Sequence, residues 1–310
     1  MPRTIRIGTR GSVLALTQTR WVEAELRAVH PEVATELVVI KTTGDKITDV
    51  PLARIGGKGL FIKEIEEALL KGEVDLAVHS LKDMPAELPP GCVLGAYPPR
   101  EDWRDAFLSP KWASLEEIPP GGRVGTGSLR RRVQLLHRRP DLEVVPLRGN
   151  VDTRLRKLET ENLEAIILAA AGLKRLGLGH LPRRYLGPEE MLPAIGQGAL
   201  ALEVRADDRE MLELLAPLDH HPTRVTVTAE RAFLARLGGG CLVPVAALGE
   251  LADGRLSLTG LISDAEGRRV VQDQVTGEPE AAATLGTELA TRLLAAGGRE
   301  ILAAFYEGQG

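Results

Sequence analysis

The sequence predicts an α/β protein with a smaller α+β domain at its C-terminal end. Strand and helix patterns alternate along most of the chain, and the alternation stops beyond His220. Alternating strands and helices predict parallel sheets covered by helices on both faces, whereas clustered strands followed by a helix predict an α+β domain. The length of 310 residues predicts two or three domains.

The first series of elements comes from apolar residues at strand and helix spacing. Its predicted members are a strand at Ile5 and Ile7, a helix from Leu14 to Val29, a strand at 37–40, a helix near Phe61 to Leu70 and a strand at 76–78. A second series follows the Pro-rich passage from Pro98 to Pro120. Its members are a strand ending at Val124, a helix at 129–136, a strand at 144–145, a helix at 151–158 and a strand at 166–168.

The C-terminal domain has a different order of elements. We predict a helix near 225–237, short strands at 243–248, 256–262 and 270–275, and a closing helix rich in Ala and Leu. Cys92 and Cys241 are the only cysteines, which is too few for a disulfide framework. The sequence shows neither a signal peptide nor an apolar run that could span a bilayer, so a cytoplasmic protein is expected.

Positive charge is concentrated in residues 123–184, which carry an excess of eight positive charges although the whole chain has a net charge of −4. A solvated basic surface is one interpretation. Nucleic acid binding is disfavoured because aromatic residues make up 3% of the chain and none lies in this segment before Tyr185. A small polycarboxylate or phosphate ligand fits the segment better.

Arginine side chains follow three predicted strands of this segment. The clearest case is the turn Val124-Gly125-Thr126-Gly127-Ser128, which leads into a helix beginning with Leu129, Arg130 and Arg131. We expect Ser128 to cap that helix, whose N-terminus favours an anion. Arg148 and Arg175 follow the next two strands, and Arg154 lies on the intervening helix. Because ligands bind beyond the carboxyl ends of parallel strands, these arginines should converge.

Three further features are candidates for function, each with a structural alternative. Asp83, in His79-Ser80-Leu81-Lys82-Asp83-Met84-Pro85, is either a proton-transferring carboxyl at a strand end or the partner of Lys82 in a surface turn. Pro85 should keep Met84 out of the helical conformation and leave the turn open and extended. The connection from Lys41 to Gly59, with cationic Arg54 and Lys58, is either a lid or a solvated loop. Cys241, after three glycines, is either a buried structural thiol or a nucleophile or attachment point.

Taken together, six motifs in order resemble those of the porphobilinogen deaminase family, also called hydroxymethylbilane synthases. They are Gly56-Gly57-Lys58-Gly59, His79-Ser80-Leu81-Lys82-Asp83, Gly125-Thr126-Gly127-Ser128-Leu129-Arg130-Arg131, Leu147-Arg148-Gly149-Asn150, Leu192-Pro193-Ala194-Ile195-Gly196-Gln197-Gly198 and the Gly-Gly-Cys ending at Cys241. The sequence departs from the family pattern at Gly127, where Ser is usual, and at Gly238, where Glu is common.

The resemblance implies a transferase that joins four porphobilinogen molecules with loss of ammonia and yields the linear tetrapyrrole hydroxymethylbilane. Asp83 would be the catalytic acid and base, and Cys241 would carry a covalent dipyrromethane cofactor through a thioether. The residues implied to bind the cofactor are Cys241, Lys82, Asp83, Thr126, Ser128, Arg130, Arg131, Arg148, Arg154 and Gly172. Those implied to bind substrate are Arg10, Ser12, Arg148, Arg154 and Arg175, with Lys58 and Phe61 on or beside the lid and no metal.

The resemblance also implies a fold of two doubly wound domains, like those of type II periplasmic binding proteins, and a smaller α+β C-terminal domain. Domain 1 would be discontinuous, with residues 1–98 and 196–217, domain 2 would span 99–195 and domain 3 would span 218–310. A monomer is expected, with porphobilinogen as substrate and no nucleic acid or membrane partner. The alternative function is reversible binding of a polycarboxylate or another anion, without catalysis, by a protein of the periplasmic-binding type.

Overall fold

A computed structural model describes residues 4–46, 62–238 and 243–307. Contacts divide the chain into two compact units, which are described separately. The first unit comprises Met1–Glu101 and Ala199–Arg224, and the second comprises Asp102–Gly198 and Val225–Gly310. In the described residues no helix is long and apolar enough to cross a membrane.

The first unit is built on a five-stranded sheet with the order β2-β1-β3-β10-β4. Its strands are β1 (Thr4–Thr9), β2 (Ala34–Val39), β3 (Leu76–Ser80), β4 (Cys92–Ala96) and β10 (Leu200–Arg205). β1 pairs in parallel with β2 and with β3, as the sequence predicts. β10 pairs antiparallel with both β3 and β4, so the sheet is mixed and not wholly parallel as predicted. Two neighbouring strands that are joined by a single helical crossover are parallel. No such crossover joins β10 to β3 or to β4, so β10 is able to pair antiparallel with both.

Helices cover both faces of this sheet. They are α1 (Val13–Val29), α2 (Thr43–Lys46), α3 (Lys63–Leu70) and α7 (Arg209–Leu215). Val22 and Leu26 of α1 are fully buried in a core with Ile5, Ile7 and Leu202. Burial of each such side chain contributes about 1.5–3 kcal/mol to folding. On the other face, α3 packs through Ile65 and Leu69 against β3, so Asp83 follows a strand that is held on both sides.

The second unit contains a five-stranded sheet with the order β7-β6-β8-β5-β9. Its strands are β5 (Asp105–Leu108), β6 (Arg123–Gly125), β7 (Glu143–Val145), β8 (Ala165–Ala169) and β9 (Arg184–Leu186), and its helices are α4 (Leu129–Arg138), α5 (Val151–Thr160) and α6 (Ala170–Arg175). β6 pairs in parallel with β7 and β8. β5 is antiparallel to β8 and β9, so this sheet is mixed too.

The same unit contains the C-terminal α+β region, an antiparallel sheet of β11 (Val245–Ala252), β12 (Arg255–Ser263) and β13 (Val270–Gly277). The helices of this part of the chain are α8 (His221–Arg236), α9 (Ala282–Leu293) and α10 (Arg299–Glu307). Gly260 lets the buried Phe233 and Leu289 pack directly on β12, because a Cβ at this position would lie within 2.9 Å of both side chains. The fold class, an α/β protein of two doubly wound sheets with a smaller α+β region, is confirmed.

Two details of the first unit differ from the sequence prediction. The predicted helix near Phe61 is described from Lys63 to Leu70, and Phe61 lies outside the described residues. The connection from Lys41 to Gly59 includes one helical turn, Thr43–Lys46, which an apolar period could not reveal in four residues. Residues 47–59 of that connection lie outside the description. The division into three domains stays a prediction.

Candidate active site

Asp83 lies on an exposed turn at the carboxyl end of β3. Leu81–Asp83 forms one 3-10 turn, and the Leu81 amide donates a hydrogen bond to the Ala199 carbonyl oxygen at 3.0 Å. Met84 is extended, with φ −81° and ψ 144°, which confirms the effect expected of Pro85. The preceding turn is compact and not extended as predicted. Leu81 is buried and anchors the turn, while Asp83 is exposed.

Arg10, Gln18, His79, Ser80 and Asp83 line one cleft of the first unit. β1 and β3 are parallel neighbours, so the residues that follow both strands lie at the same edge of the sheet. Gln18 and Ser80 form two side-chain hydrogen bonds, of 3.0 and 3.2 Å, between α1 and the end of β3. This arrangement brings the predicted acid, Asp83, to the same cleft as the predicted carboxylate ligand, Arg10.

Ser12, a predicted substrate ligand, is the N-cap of α1. Its Oγ accepts a hydrogen bond from the Ala15 amide at 3.2 Å. The free amides of this 17-residue helix add partial positive charge at the same strand edge. Lys82 lies on the turn beside Asp83 and is partly buried.

Beneath the cleft lies a group that we call the acid cluster, composed of Glu66, His79, Cys92 and Glu203. His79 Nε2 lies 2.9 Å from Glu203 Oε2, and the two side chains are 4% and 0% exposed. One oxygen each of Glu66 and Glu203 is buried without a hydrogen-bond partner among the described residues. Burial and the charge of Glu203 raise the pKa of Glu66 to about 7. Burial also raises the pKa of the Cys92 thiol to about 12, which makes this thiol a poor nucleophile at neutral pH.

The acid cluster predicts a pH dependence of stability. Glu66 has a pKa of about 7 in the folded chain against an ordinary value of 4.5, so between these values only the folded chain holds the proton. The free energy of unfolding should therefore fall as the pH rises from about 4.5 to about 7. We expect Glu66→Gln to remove about 1–3 kcal/mol of this fall, which urea unfolding at a series of pH values measures.

The exposed neighbour Glu67 provides the matched control for this prediction. Glu67 pairs only loosely with Lys71, at 3.9 Å, and its side chain is 49% exposed. Glu67→Gln should leave the pH dependence of the free energy of unfolding as it is in the wild type. Identical pH dependences for wild type and Glu66→Gln would show that Glu66 is an ordinary carboxylate.

The second unit gathers the predicted anion ligands at one edge of its sheet, because β6, β7 and β8 are mutually parallel. Ser128 caps α4, accepting a hydrogen bond from the Arg131 amide at 3.4 Å, as predicted. Thr126 Oγ1 accepts a hydrogen bond from the Ser128 amide at 3.2 Å. Asn150 caps α5 in the same way, accepting from the Thr153 amide at 2.9 Å. Two capped helix N-termini therefore face the edge where an anion is expected.

Arg130 and Arg131 are buried and share one counter-ion, Asp105. Arg130 Nη1 donates to Asp105 Oδ2 at 2.7 Å, and Arg131 donates to Oδ1 through Nε at 3.0 Å and Nη2 at 2.8 Å. Gln197 Nε2 also donates to Oδ1, at 2.9 Å. Burial opposes ionisation of Asp105, yet the two guanidinium groups hold the pKa of Asp105 well below its usual range. The three charged groups together carry a net charge of about +1.

Sequence reasoning missed Asp105, and it included Gln197 in a motif without giving this residue a role. Asp105 lies 25 residues before Arg130, outside the basic segment, and no local spacing connects the two. Arg130 also donates to the Leu192 carbonyl oxygen at 2.6 Å, and its Nε is buried with no partner among the described residues. The structure therefore supplies a counter-ion for two arginines that the sequence assigned wholly to an external anion.

The other predicted ligands of this unit follow β7 and β8. Arg148 is partly buried, and Arg154 Nε donates to the Gly149 carbonyl oxygen at 2.8 Å. Arg175 Nη2 donates to the Gly198 carbonyl oxygen at 2.7 Å, and Gly172 lies in the same helix, α6. The roles of these residues stay predictions. Lys58, Phe61 and Cys241 lie outside the described residues.

Two family models and many curated proteins match this chain. Residues 5–213 match the family model described as porphobilinogen deaminase, dipyromethane cofactor binding domain, and residues 224–295 match the model of the C-terminal domain. The chain belongs to the porphobilinogen deaminase family. The porphobilinogen deaminase of Trichlorobacter lovleyi is 55% identical over 306 residues, which are 99% of this chain and 98% of that protein. The porphobilinogen deaminase of Geobacter sulfurreducens is 53% identical over 303 residues, covering 98% and 95%.

Among solved structures, the methionine-binding protein MetQ is similar with a TM-score of 0.45 and 15% identity, covering 69% of this chain and 89% of MetQ. The non-catalytic alternative is not favoured, since the relatives similar over nearly the whole chain are named as porphobilinogen deaminases.

The residues present fit the dipyrromethane group that the family model names. Its carboxylates need cationic donors, and the second unit offers Arg130, Arg131 and Arg148 beside capped helix N-termini. The Nε of Arg130, which is buried without a partner in the described part of the chain, and the net positive charge around Asp105 also favour a further anion. Among the described residues, no group of three or more His, Cys, Asp or Glu is placed to hold a metal ion.

Both departures from the family pattern have structural correlates. A Cβ at Gly127 would lie 2.5 Å from the Leu147 carbonyl oxygen, so a Ser there would require the Leu147 segment to move. Gly238 has φ +66°, and its amide donates to the Ala235 carbonyl oxygen at 3.0 Å, which ends α8. A glutamate in this left-handed conformation would be strained.

Proposed function

We propose that this chain joins four porphobilinogen molecules head to tail, releases ammonia from each, and yields hydroxymethylbilane when one water molecule hydrolyses the bond between the tetrapyrrole and the dipyrromethane primer. One observation carries the proposal. Asp83 is an exposed carboxyl at the end of a buried strand, in one cleft with the cationic Arg10 and the hydroxyl of Ser80. A carboxyl in such a cleft can transfer protons to a bound substrate and stabilise a positive charge on it.

Asp83 performs the proton transfers in each cycle. In its acid form it gives a proton to the aminomethyl nitrogen, the carbon–nitrogen bond breaks, and ammonia leaves with the electron pair. The resulting carboxylate stabilises the cation on the substrate's methylene carbon. A new carbon–carbon bond forms when a terminal pyrrole carbon attacks that methylene carbon. Asp83 then accepts the proton lost from the attacking carbon and returns to its acid form.

The cationic residues bind carboxylates of the growing chain. In this proposal Lys82, Thr126, Ser128, Arg130, Arg131, Arg148, Arg154 and Gly172 hold the dipyrromethane group, and Arg10, Ser12, Arg148, Arg154 and Arg175 hold incoming substrate. Guanidinium groups suit this task because they bind carboxylates through two parallel hydrogen bonds. Cys241 would hold the dipyrromethane group through a thioether, and that group would supply the pyrrole to which the first substrate is joined. Lys58 and Phe61, which this proposal assigns to positions on or beside the lid, lie outside the described residues.

We propose further that the chain acts as a monomer in the cytoplasm and has three domains, 1–98 with 196–217, 99–195 and 218–310. The cysteine content supports a reducing compartment, since Cys92 is a free, buried thiol. The three sheets support the division, because each predicted domain contains one of them.

The intact mass of the purified protein tests the covalent primer. We expect a mass greater than that of the sequence by two pyrrole units, and Cys241→Ser should have the mass of its bare sequence. Cys92→Ser is the control and should keep the added mass, because the Cys92 thiol is buried within the acid cluster. The added mass on Cys241→Ser would place the attachment elsewhere.

A further inference from the structure

The turn between β12 and β13 is rigidly organised by one side chain. Asp264 Oδ1 accepts hydrogen bonds from the amides of Glu266, at 3.2 Å, and Arg268, at 2.8 Å. Asp264 Oδ2 accepts from the Arg269 amide at 3.0 Å. Backbone bonds between Asp264 and Arg269 and between Gly267 and Asp264 close the turn. We call residues 264–269 the hairpin tip.

The hairpin tip docks on α4, the helix that carries Arg130 and Arg131. Arg132 Nη1 donates to the Ala265 carbonyl oxygen at 2.7 Å, and His137 Nδ1 lies 3.0 Å from the Gly267 carbonyl oxygen. Gly267 lies so close to α4 that a Cβ at this position would overlap the Val133 carbonyl oxygen. The contact therefore requires glycine for space as well as for its φ of +73°.

The docked hairpin also connects to the segment that contains Cys241. β12 pairs along its length with β11, which begins at Val245, and the Ser263 amide donates to the Pro244 carbonyl oxygen at 3.0 Å. Leu248 and Leu261 of this sheet pack with Leu192 and Trp103 in one apolar cluster. Within the second unit, the sheet adjoining residues 239–242 is thus fixed to the helix of the predicted cofactor arginines.

We propose that the hairpin tip is a positioning element for the primer, because its contact with α4 fixes the start of β11, at Pro244 and Val245, relative to the helix that carries Arg130 and Arg131. This inference rests on the proposed function. Binding of the primer costs less conformational entropy when the chain beside its attachment point is already fixed relative to the arginines that bind its carboxylates. Loosening the tip should reduce the fraction of chains that carry a primer and reduce turnover by those that do.

Two hairpin glycines allow a matched test. Gly254, in the turn between β11 and β12, has the same φ of +73° as Gly267, but a Cβ there would meet nothing within 4 Å. Gly254→Ala and Gly267→Ala therefore impose the same left-handed strain, and only Gly267→Ala forces the tip away from α4. Arg132→Met removes the hydrogen bond to the Ala265 carbonyl oxygen without straining the backbone. This variant tests the same contact if Gly267→Ala does not fold.

The readouts are the primer-bearing fraction, from intact mass, and kcat per primer-bearing chain, at a temperature where the thermal unfolding curve of each variant shows it folded. Gly267→Ala and Arg132→Met should each lower the primer-bearing fraction multiplied by kcat per primer-bearing chain by about threefold or more. Gly254→Ala should keep this value near that of the wild type. Equal values for the two glycine variants, or an unchanged Arg132→Met, would overturn the positioning role. A wild type without added mass would instead refute the proposed function and leave the docking contact intact.

Discussion

Asp83→Asn is expected to lower kcat by about 10²–10⁴-fold, because an amide can neither give the leaving nitrogen a proton nor accept one from the attacking pyrrole carbon. It also lacks the charge that stabilises the cation on the substrate. The fold should be unchanged, since Asp83 is exposed and the turn is held by Leu81 and by the hydrogen bond to Ala199. Ammonia release from porphobilinogen measures the effect.

Asp207→Asn is the control for this prediction. Asp207 is an exposed carboxylate in the same unit, in the turn after β10, and lies outside the cleft that contains Asp83. Its replacement should leave kcat unchanged. If Asp83→Asn turned over within about threefold of the wild type, the acid and base would have to be another residue.

Asp105→Asn is expected to have the largest effect on stability. The substitution keeps the shape of the side chain but leaves Arg130 and Arg131, 5% and 6% exposed in their side chains, without their shared counter-ion. Removal of one partner of a buried ion pair costs about 3–5 kcal/mol, so the free energy of unfolding should fall by about that amount. Urea unfolding near neutral pH measures the change.

The pKa of Asp105 fixes the pH range of its contribution. Because the two arginines hold the pKa of Asp105 well below its usual range, its stabilising contribution is complete above about pH 4 and is lost only in strong acid. Asp141→Asn is the control, since Asp141 pairs with Arg139 at the surface and should matter little. Equal free energies of unfolding for Asp105→Asn and Asp141→Asn would show that the ion pairs of Asp105 with Arg130 and Arg131 do not stabilise the fold.

Local patterns in the sequence predicted most of the fold. Strands with buried apolar runs, such as β3 and β8, were predicted from those runs, and Ser128 was recognised as a cap from its place before a helix. The strand β10 was not predicted, and its direction follows from pairing with β3 and β4, which lie far earlier in the chain. Strand direction there depends on long-range pairing, which no local periodicity encodes.

Site residues that directly follow a strand could be predicted from the sequence. Acids whose state depends on burial beside a distant residue could not. Asp83 was predicted from its place after a strand and Arg10 from the family resemblance, and the parallel pairing of β1 and β3 brings both to one cleft. Asp105, Glu66 and Glu203 gave no such signal, because an acid that is buried beside a distant partner resembles a surface acid in sequence. The count of charges in residues 123–184 therefore overstated the charge left for a ligand.

The central claim, growth of a pyrrole chain on a primer held by Cys241, is tested most directly by the intact mass of the protein before and during turnover. We expect the resting protein to exceed its sequence mass by two pyrrole units. After addition of porphobilinogen, further species should appear, each heavier by one pyrrole unit, and disappear as substrate is consumed. A protein that turned over porphobilinogen at the mass of its bare sequence would contradict the claim.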